Sequence, residues 1–287
     1  MSAPVSAARV GVADAIDDRA APELRFYRDA LEYLNAARAP YLVGGAYAYA
    51  LYTGIERHTK DLDIFVRARD CGRVLTVLRD AGYRTEVAFT HWLAKAFSGD
   101  HLIDVIFSSG NGLSPVDDAW FTHAPGASLL GVPVRLTPPE EMIWSKAFIM
   151  ERERFDGADI CHLLRACGRG LEWERLIARF GTHWPVLLTH VLLFQYAYPG
   201  EADTIPRRVV RRLLDRASAA PTPTVNGGAR HASGRSDAGE HICCGTCLSR
   251  EYMHDVRHWG YRDARVRPLG RMTADEVARW MAAFEHE

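Results

Sequence analysis

The stretch HTKDLDIFV, residues 58–66, places two aspartates one residue apart in a run with the composition of a β-strand. Alternate side chains of a strand leave on the same face, so Asp61 and Asp63 share one face while Leu62 and Ile64 share the other. The simple interpretation is the solvated face of an edge strand. The alternative is an acidic face that holds a ligand, because like charges this close repel each other.

A third acid, Asp104, favours the second interpretation. It lies in HLIDVIF (101–107), between Ile103 and Val105 of another strand-like run. A lone charge in such a strand is costly unless it is paired or bound to a metal. If the two strands are neighbours, three carboxylates converge on one surface. Such a set suits one or two hard divalent cations, and Mg²⁺ typically bridges carboxylates to substrate phosphates.

Upstream of the acids, a short strand at residues 41–43 runs into Gly44 and Gly45, and a helix-forming stretch follows. A glycine pair at this junction lets the backbone approach a phosphate, with the N–H groups of the helix directed at it. A tight turn is the simpler alternative.

Together, VGGAYAYALYTGIERHTKDLDIFV and LIDVIF resemble the nucleotidyltransferases of the DNA polymerase β superfamily, over residues 40–165. The long spacer before the acids and the segment SKAFIMERERFDGADICHLL are most similar to its abortive-infection (AbiE-type) toxin branch. The resemblance implies that Asp61, Asp63 and Asp104 are catalytic and bind metal, in a two-metal Mg²⁺ site. It also implies nucleotide-binding roles for Gly44, Gly45, Thr59, Lys60, Lys146 and either Asp156 or Asp159.

The predicted fold class is α+β, with a polymerase β-like mixed sheet and flanking helices, followed by a helical domain. Within that helical domain, residues 138–155 have the pattern of one continuous helix. Residues 217–240 are rich in Ala, Gly, Ser, Thr and Pro, which is typical of a flexible linker. We predict a flexible N-terminal tail (1–20), a catalytic domain (21–136), a helical domain (137–216), the linker (217–240) and a small C-terminal helical tail (241–287).

The composition argues against a membrane protein and a secreted protein, but the nearly neutral net charge indicates no particular binding partner. The 287 residues carry a formal net charge of -1, and the longest near-apolar run, residues 185–198, is too short to span a bilayer. The start of the chain lacks the pattern of a secretory signal, and six cysteines in a chain of this size do not indicate a secreted disulfide framework. We therefore predict a cytoplasmic protein without membrane contact.

Two further motifs have a functional and a simpler interpretation. A pair of cysteines followed by a pair of histidines at short spacings has the residue types of a zinc site, but a reduced, partly buried thiol cluster is the favoured interpretation. A basic stripe at helical spacing would suit RNA phosphates, although such a run is usually a solvated helix face. The zinc set is Cys244, Cys247, His254 and His258, and the basic stripe is Arg207, Arg208, Arg211, Arg212 and Arg216.

The resulting hypothesis is an enzyme, a Mg²⁺-dependent nucleotidyltransferase that moves a nucleoside monophosphate from an NTP to a hydroxyl group. The acceptor in this hypothesis is an RNA or tRNA end, in a toxin–antitoxin or phage-defence setting with a possible antitoxin partner. The first alternative is a small-molecule acceptor such as an aminoglycoside. The second is a non-catalytic regulator that binds nucleotide or RNA. Three clustered acids argue against the second alternative, because a binding module gains nothing from buried like charges.

Overall fold

The computed structural model describes residues 22–219 and 241–283, which divide into two compact units. The predicted N-terminal tail (1–20) lies outside the described residues, as does the predicted linker from residue 220 onward. Unit 1 contains residues 22–108 and 115–138, and unit 2 contains residues 109–114, 139–219 and 241–283.

Unit 1 combines helices and strands, as the α+β prediction requires. Its elements are α1 (Pro22–Ala36), β1 (Leu42–Val43), α2 (Gly45–Thr53), β2 (Asp61–Phe65), α3 (Ala68–Asp80), β3 (Arg84–Phe89), β4 (Leu93–Ser98), β5 (His101–Ile106), α4 (Asp118–His123), β6 (Gly126–Leu129) and β7 (Val132–Arg135).

The central sheet of unit 1 is mixed. Among the described residues it has five strands, in the order β1-β2-β5-β4-β3. β2 runs parallel to β5, whereas the other neighbouring pairs are antiparallel. Two strands that are distant in sequence thereby become neighbours, and this is the condition under which the three predicted carboxylates meet.

The two central strands each bury one face. Leu62 and Ile64 of β2 and Ile103 and Val105 of β5 have no exposed surface, while the side chains between them are only partly buried. Full burial of one such aliphatic side chain contributes about 1.5–3 kcal/mol to stability. The apolar face therefore anchors these strands, and the opposite face can carry acids without loss of the core.

Two amphipathic helices flank the sheet, α1 before it and α3 between β2 and β3. α1 buries Tyr27, Leu31 and Leu34 at helical spacing. After α3, Gly82 has a φ of 94°, so the chain leaves the helix in the left-handed conformation that glycine tolerates.

One strand of unit 1 forms from a sequence with little preference for strands. β7 has the sequence VPVR, and its partner β6 has the sequence GASL, in which Gly, Ala and Ser favour strands weakly. The connection is the two-residue turn Leu130–Gly131, and both residues have positive φ, at 53° and 75°. Turn geometry and pairing with β7 define β6, since its own composition does not.

Unit 2 is mostly helical, as predicted. No described helix combines the length and hydropathy that crossing a bilayer requires. The regular elements are α5 (Pro139–Lys146), α6 (Gly157–Cys167), α7 (Trp173–Phe180), α8 (Trp184–Ala197), α9 (Arg207–Ala219), β8 (Ile242–Cys243), α10 (Met253–His258), β9 (Arg262–Asp263) and α11 (Ala274–Ala283).

The single helix predicted for residues 138–155 is wrong. α5 ends at Lys146, and the chain then folds back through a bridge between Met150 and Phe155. The backbone N–H of Asp156 donates to the carbonyl oxygen of Ile149 at 3.0 Å, which closes this excursion. The residues between α5 and α6 are good helix formers, so propensity alone hides the break.

The last helix begins with a capping box. The backbone N–H of Thr273 donates to Glu276 Oε2 at 2.8 Å, and the N–H of Glu276 donates to Thr273 Oγ1 at 3.2 Å. Beside α11, Arg265 is almost completely buried, and its guanidinium group is paired with Asp263 at 2.8 Å. The C-terminal segment is thus a packed structure with its buried charge neutralised.

Candidate active site

Three carboxylates meet on the open face of the unit 1 sheet. The parallel register places Asp63 of β2 directly beside Asp104 of β5, and Asp61 lies two residue pairs away along β2. Ligand oxygens of the three side chains lie within 4.8 Å of one another. The convergence predicted from the sequence is therefore present, and we call these three residues the triad.

The first acid of the triad is held by a threonine. Thr59 Oγ1 donates to Asp61 Oδ1 at 2.6 Å. In this contact Thr59 orients an acid of the triad, whereas the resemblance implied that Thr59 contacts nucleotide. Lys60, the other residue implied beside the acids, is exposed. Their nucleotide-binding roles stay predictions.

The third acid is held by a lysine that the sequence interpretation missed. Lys95 lies on β4 directly opposite Asp104, and its Nζ is 3.1 Å from Asp104 Oδ1. The signal that locates it is the turn Gly99–Asp100, with Gly99 at a φ of 58°. A two-residue hairpin turn fixes the register of both strands, and counting back from it pairs Lys95 with Asp104.

Burial and charge act in opposite directions on Asp104. Burial raises the pKa of this carboxyl above its ordinary value, and the negative charge of Asp61 raises it further. Lys95 lowers it through its charge and its hydrogen bond, but does not compensate fully. The result is a carboxylate that accepts a proton more readily than an exposed aspartate does.

The donor set fits a hard divalent cation. It contains only carboxylate oxygens, and Lys95 pairs with one of the three acids. Mg²⁺ prefers such oxygen ligands and uses few of them from protein, leaving positions for substrate phosphate and water. Among the described residues, no other group of His, Cys, Asp or Glu side chains converges in this way.

The glycine pair is required by close packing at the start of α2. Gly45 has a φ of 54°, and a Cβ atom there would lie 1.7 Å from Asp63 Oδ2. A Cβ atom on Gly44 would lie 2.2 Å from the ring of Phe65. The N-terminus of α2 therefore lies against a carboxylate of the triad, and helix N-termini favour negative charge. The phosphate contact predicted for the two glycines stays a prediction.

The remaining predicted site residues lie in unit 2 and form a cluster there. Lys146 Nζ is 2.8 Å from Asp156 Oδ2 and 2.9 Å from Asp159 Oδ2, and Arg154 Nε is 3.0 Å from Asp156 Oδ1. We call these four residues the Lys146 cluster. The break after α5 brings Lys146 and Asp156 together, although ten positions separate them. Their roles toward nucleotide stay predictions.

The candidate zinc ligands do not converge within the part of the chain that the structure describes. Cys244 is exposed and Cys247 is buried, and the neighbouring Cys243 Sγ donates to Asp255 Oδ2 at 3.1 Å. Burial, together with the nearby Cys244, raises the pKa of Cys247 to about 12, and a protonated thiol is a poor metal ligand. The geometry does not support zinc and agrees with the favoured thiol cluster.

The basic stripe lies on the exposed face of α9, and part of it is already used. Arg212 pairs with Glu174 of α7. Arg216 Nη2 donates to the carbonyl oxygen of Gly181 at 3.3 Å and stacks over the ring of Trp184. These two arginines join helices of unit 2, which weakens the stripe as a surface for RNA.

A mixed sheet with a carboxylate triad beside a glycine-opened helix defines the nucleotidyltransferase class of the polymerase β-like fold. Residues 27–105, which include the whole triad, match the family model of the aminoglycoside-2″-adenylyltransferases. This match confirms the prediction of an enzyme of the nucleotidyltransferase type. No curated protein matches the chain in sequence.

Solved structures of similar proteins share little sequence with the chain. The antibiotic-resistance factor ANT(2″)-Ia has 20% identity and a TM-score of 0.40, over 58% of this chain and 95% of its own. The lincosamide antibiotic adenylyltransferase LnuA has 16% identity and a TM-score of 0.35, over 50% of this chain and 96% of its own. JHP933 from Helicobacter pylori has 13% identity and a TM-score of 0.36, over 71% and 97%. None of these comparisons shows the predicted closeness to the AbiE-type branch.

Proposed function

We propose that this enzyme moves adenylate from Mg²⁺-ATP to a hydroxyl group of a small, polyhydroxylated acceptor of the aminoglycoside class. The observation that carries the reaction type is the convergence of Asp61, Asp63 and Asp104 on neighbouring parallel strands. The match of residues 27–105 to an adenylyltransferase family supports the choice of nucleotide and of acceptor class.

Asp61 and Asp63 are the proposed ligands of the cation that accompanies the nucleotide, and Asp104 completes the set. When bound there, Mg²⁺ would neutralise phosphate charge and hold the attacking and leaving oxygens. Thr59 orients Asp61 through the 2.6 Å hydrogen bond, and the start of α2 confines Asp63. The chain itself thus fixes the acids before substrate arrives, which reduces the cost of ordering them.

Asp104 is proposed to take the proton of the acceptor hydroxyl. Asp104 lies on β5, a different strand from Asp61 and Asp63, and a positioned base contributes about 10²–10⁴-fold to the rate. The acceptor oxygen forms a bond to the α-phosphorus as the bond to the pyrophosphate oxygen breaks. The products are the adenylylated acceptor and pyrophosphate, with the proton on Asp104.

Two other functions that the sequence suggested remain alternatives, namely transfer to RNA and regulation without catalysis. An RNA or tRNA end as acceptor has one observation in its favour, the exposed arginines of α9 that lie outside the Arg212 and Arg216 contacts. The AbiE-type setting and an antitoxin partner have no support beyond the sequence resemblance. A non-catalytic regulator would retain nucleotide binding without transfer.

A labelling experiment separates these outcomes. Purified protein is incubated with Mg²⁺ and each α-³²P-labelled NTP in turn, with tobramycin, with total RNA, or with neither. We expect label from ATP in the aminoglycoside fraction, with release of pyrophosphate. Label in RNA would establish the second acceptor, and nucleotide binding without labelled product would establish the regulator.

The matched control is the double variant Asp61→Asn and Asp63→Asn in the same assay. It keeps the size of both side chains and removes their charge. Label that persists in this variant would come from a contaminating enzyme, and the proposal would then lose its support.

A further inference from the structure

The chain almost never uses lysine. Only three of its 35 basic residues are lysines, namely Lys60, Lys95 and Lys146, and the others are arginines. Lysine carries a compact point charge on a flexible stem, whereas arginine presents a broad planar fork. Of the three lysines, Lys95 is the one that pairs with an acid of the triad, and the resemblance to nucleotidyltransferases gave it no role.

Lys95 approaches the triad from the side opposite to the other two acids. In the sheet order, β5 lies between β2 and β4, so Asp104 has Asp63 on one side and Lys95 on the other. Lys95 Nζ lies 3.1 Å from Asp104 Oδ1, and the two side chains are 25% and 15% exposed. The ammonium group thus neutralises the third acid from outside the space where the three carboxylates meet.

This placement is fixed by the hairpin between β4 and β5. Six consecutive residue pairs join the two strands, from Ser98 opposite His101 to Leu93 opposite Ile106. A shift of one residue would turn Lys95 to the other face of the sheet, so the register is strongly specified. On the other side of Lys95, Glu86 of β3 is paired with Arg84 at 2.7 Å. Among the described residues, Lys95 forms its ion pair with Asp104.

We propose that Lys95 is a positioning residue that shares Asp104 with the divalent cation and lowers the affinity of the triad for a free cation. The inference rests on the proposed function, in which the triad binds a divalent cation. Loss of the Lys95 ammonium group would make the surroundings of the triad more negative by one unit charge. With Lys95 in place, a firmly held cation requires the phosphates of a nucleotide, so metal and nucleotide enter together.

The test is a titration of the full chain with Mn²⁺ alone, in the absence of nucleotide, followed by the electron paramagnetic resonance signal of free Mn²⁺. Lys95→Met keeps most of the aliphatic stem and removes the charge. We expect it to bind Mn²⁺ at least about tenfold more tightly than the wild type, because a nearby positive charge no longer repels the dication. We expect Lys95→Arg to remain within about threefold of the wild type.

A charge-matched control separates this local effect from a change of net charge. Arg79 of α3 is exposed and donates to Thr85 Oγ1, so Arg79→Met removes one positive charge away from the triad. We expect its Mn²⁺ affinity to stay within about twofold of the wild type. An equal gain in Arg79→Met and Lys95→Met would overturn the inference.

Melting temperatures provide a readout that does not depend on activity. Metal-free Lys95→Met should melt below the wild type, since three carboxylates then repel one another, and Mn²⁺ should raise its melting temperature more than that of the wild type. Lys95→Gln, which keeps a neutral donor, is the second variant if Lys95→Met does not fold, with the same expected tightening.

The outcomes distinguish the two proposals. If neither the wild type nor the Lys95 variants bind Mn²⁺ at millimolar concentration, the metal site of the proposed function is wrong. If the wild type binds Mn²⁺ and the variants bind it equally or more weakly, the triad stands and the role of Lys95 is overturned.

Discussion

The triad of unit 1 and the Lys146 cluster of unit 2 both gather aspartates, but their charges are balanced differently. In the triad, the ammonium group of Lys95 pairs with one of the three carboxylates, that of Asp104. In the Lys146 cluster, the ammonium group of Lys146 pairs with both carboxylates, and the guanidinium group of Arg154 pairs with one of them.

The pKa directions of the buried aspartates follow this balance. Burial raises the pKa of both Asp104 and Asp156. At Asp156, Lys146 and Arg154 together outweigh burial, so its pKa lies below the ordinary value. At Asp104, Lys95 does not outweigh burial, so its pKa lies above that value. A buried carboxylate without sufficient positive charge is expected at a site that awaits a ligand.

The largest expected effect is the loss of activity when the triad loses two charges. The double variant Asp61→Asn and Asp63→Asn should lower transfer at least about a thousandfold, since metal-assisted charge stabilisation contributes several kcal/mol. It should fold at least as stably as the wild type, because repulsion within the triad is relieved. Calorimetric titration with Mg²⁺ and a melting curve check both parts, and an unchanged Mg²⁺ titration would refute the ligand assignment.

Asp104 should behave differently from the pair. Asp104→Asn keeps the shape of the side chain and removes the proposed proton acceptor, so transfer should fall at least about a hundredfold. Binding of Mg²⁺-ATP should stay within a few-fold of the wild type, because Asp61 and Asp63 remain. A single-turnover assay at saturating nucleotide, paired with a binding titration on the same preparation, measures both quantities. Near-normal turnover would make Asp104 a structural acid.

The comparison also shows what the sequence can reveal about the site. Alternation in DLDIF predicts the two faces of β2, and the apolar flanks of Asp104 predict that it needs a partner. The register of the β4–β5 hairpin was also accessible through the turn Gly99–Asp100, and it identifies Lys95. These features are local, so pattern and turn chemistry are sufficient to define them.

Other features depend on contacts between distant segments. The parallel pairing of β2 with β5 requires a choice among strand neighbours that no local pattern makes. The end of α5 at Lys146 is hidden because the following residues are good helix formers, and the fold-back is stabilised by ion pairs with Asp156 and Asp159. Tertiary contacts override helix propensity at this position.

A change in the Lys146 cluster should lower the stability of the folded protein, whatever its effect on nucleotide binding. Lys146→Met removes the ammonium group that pairs with both Asp156 and Asp159. Loss of one partner of a largely buried ion pair costs about 2–4 kcal/mol of unfolding free energy. Chemical denaturation measures this loss. Lys60→Met is the matched control because Lys60 is exposed, and its unfolding free energy should change by less than about 0.5 kcal/mol.

The same variant tests the nucleotide role that the resemblance implies for Lys146. If Lys146 neutralises the leaving pyrophosphate, Lys146→Met should weaken ATP binding more than AMP binding, under conditions where the variant is folded. Equal affinity losses for the two nucleotides would leave Lys146 as a residue that stabilises unit 2 only.

The smallest expected effect is on the pH dependence of stability, and its sign differs between the two clusters. Asp156 has a folded-state pKa below its unfolded value, so its contribution to stability is present above the unfolded pKa of about 3.9 and is lost as the pH falls through the folded value. Asp104 has a folded-state pKa above its unfolded value, so protonation favours the folded state and its contribution is lost as the pH rises through the folded value. Between pH 7 and pH 3, Asp156→Asn should therefore lose stability less steeply than the wild type, and Asp104→Asn more steeply.

Each unit of pKa displacement corresponds to about 1.4 kcal/mol of folding free energy. Urea unfolding in metal-free buffer across this range measures the slopes, and slopes that change in the same direction would contradict the opposite charge balance of the two clusters.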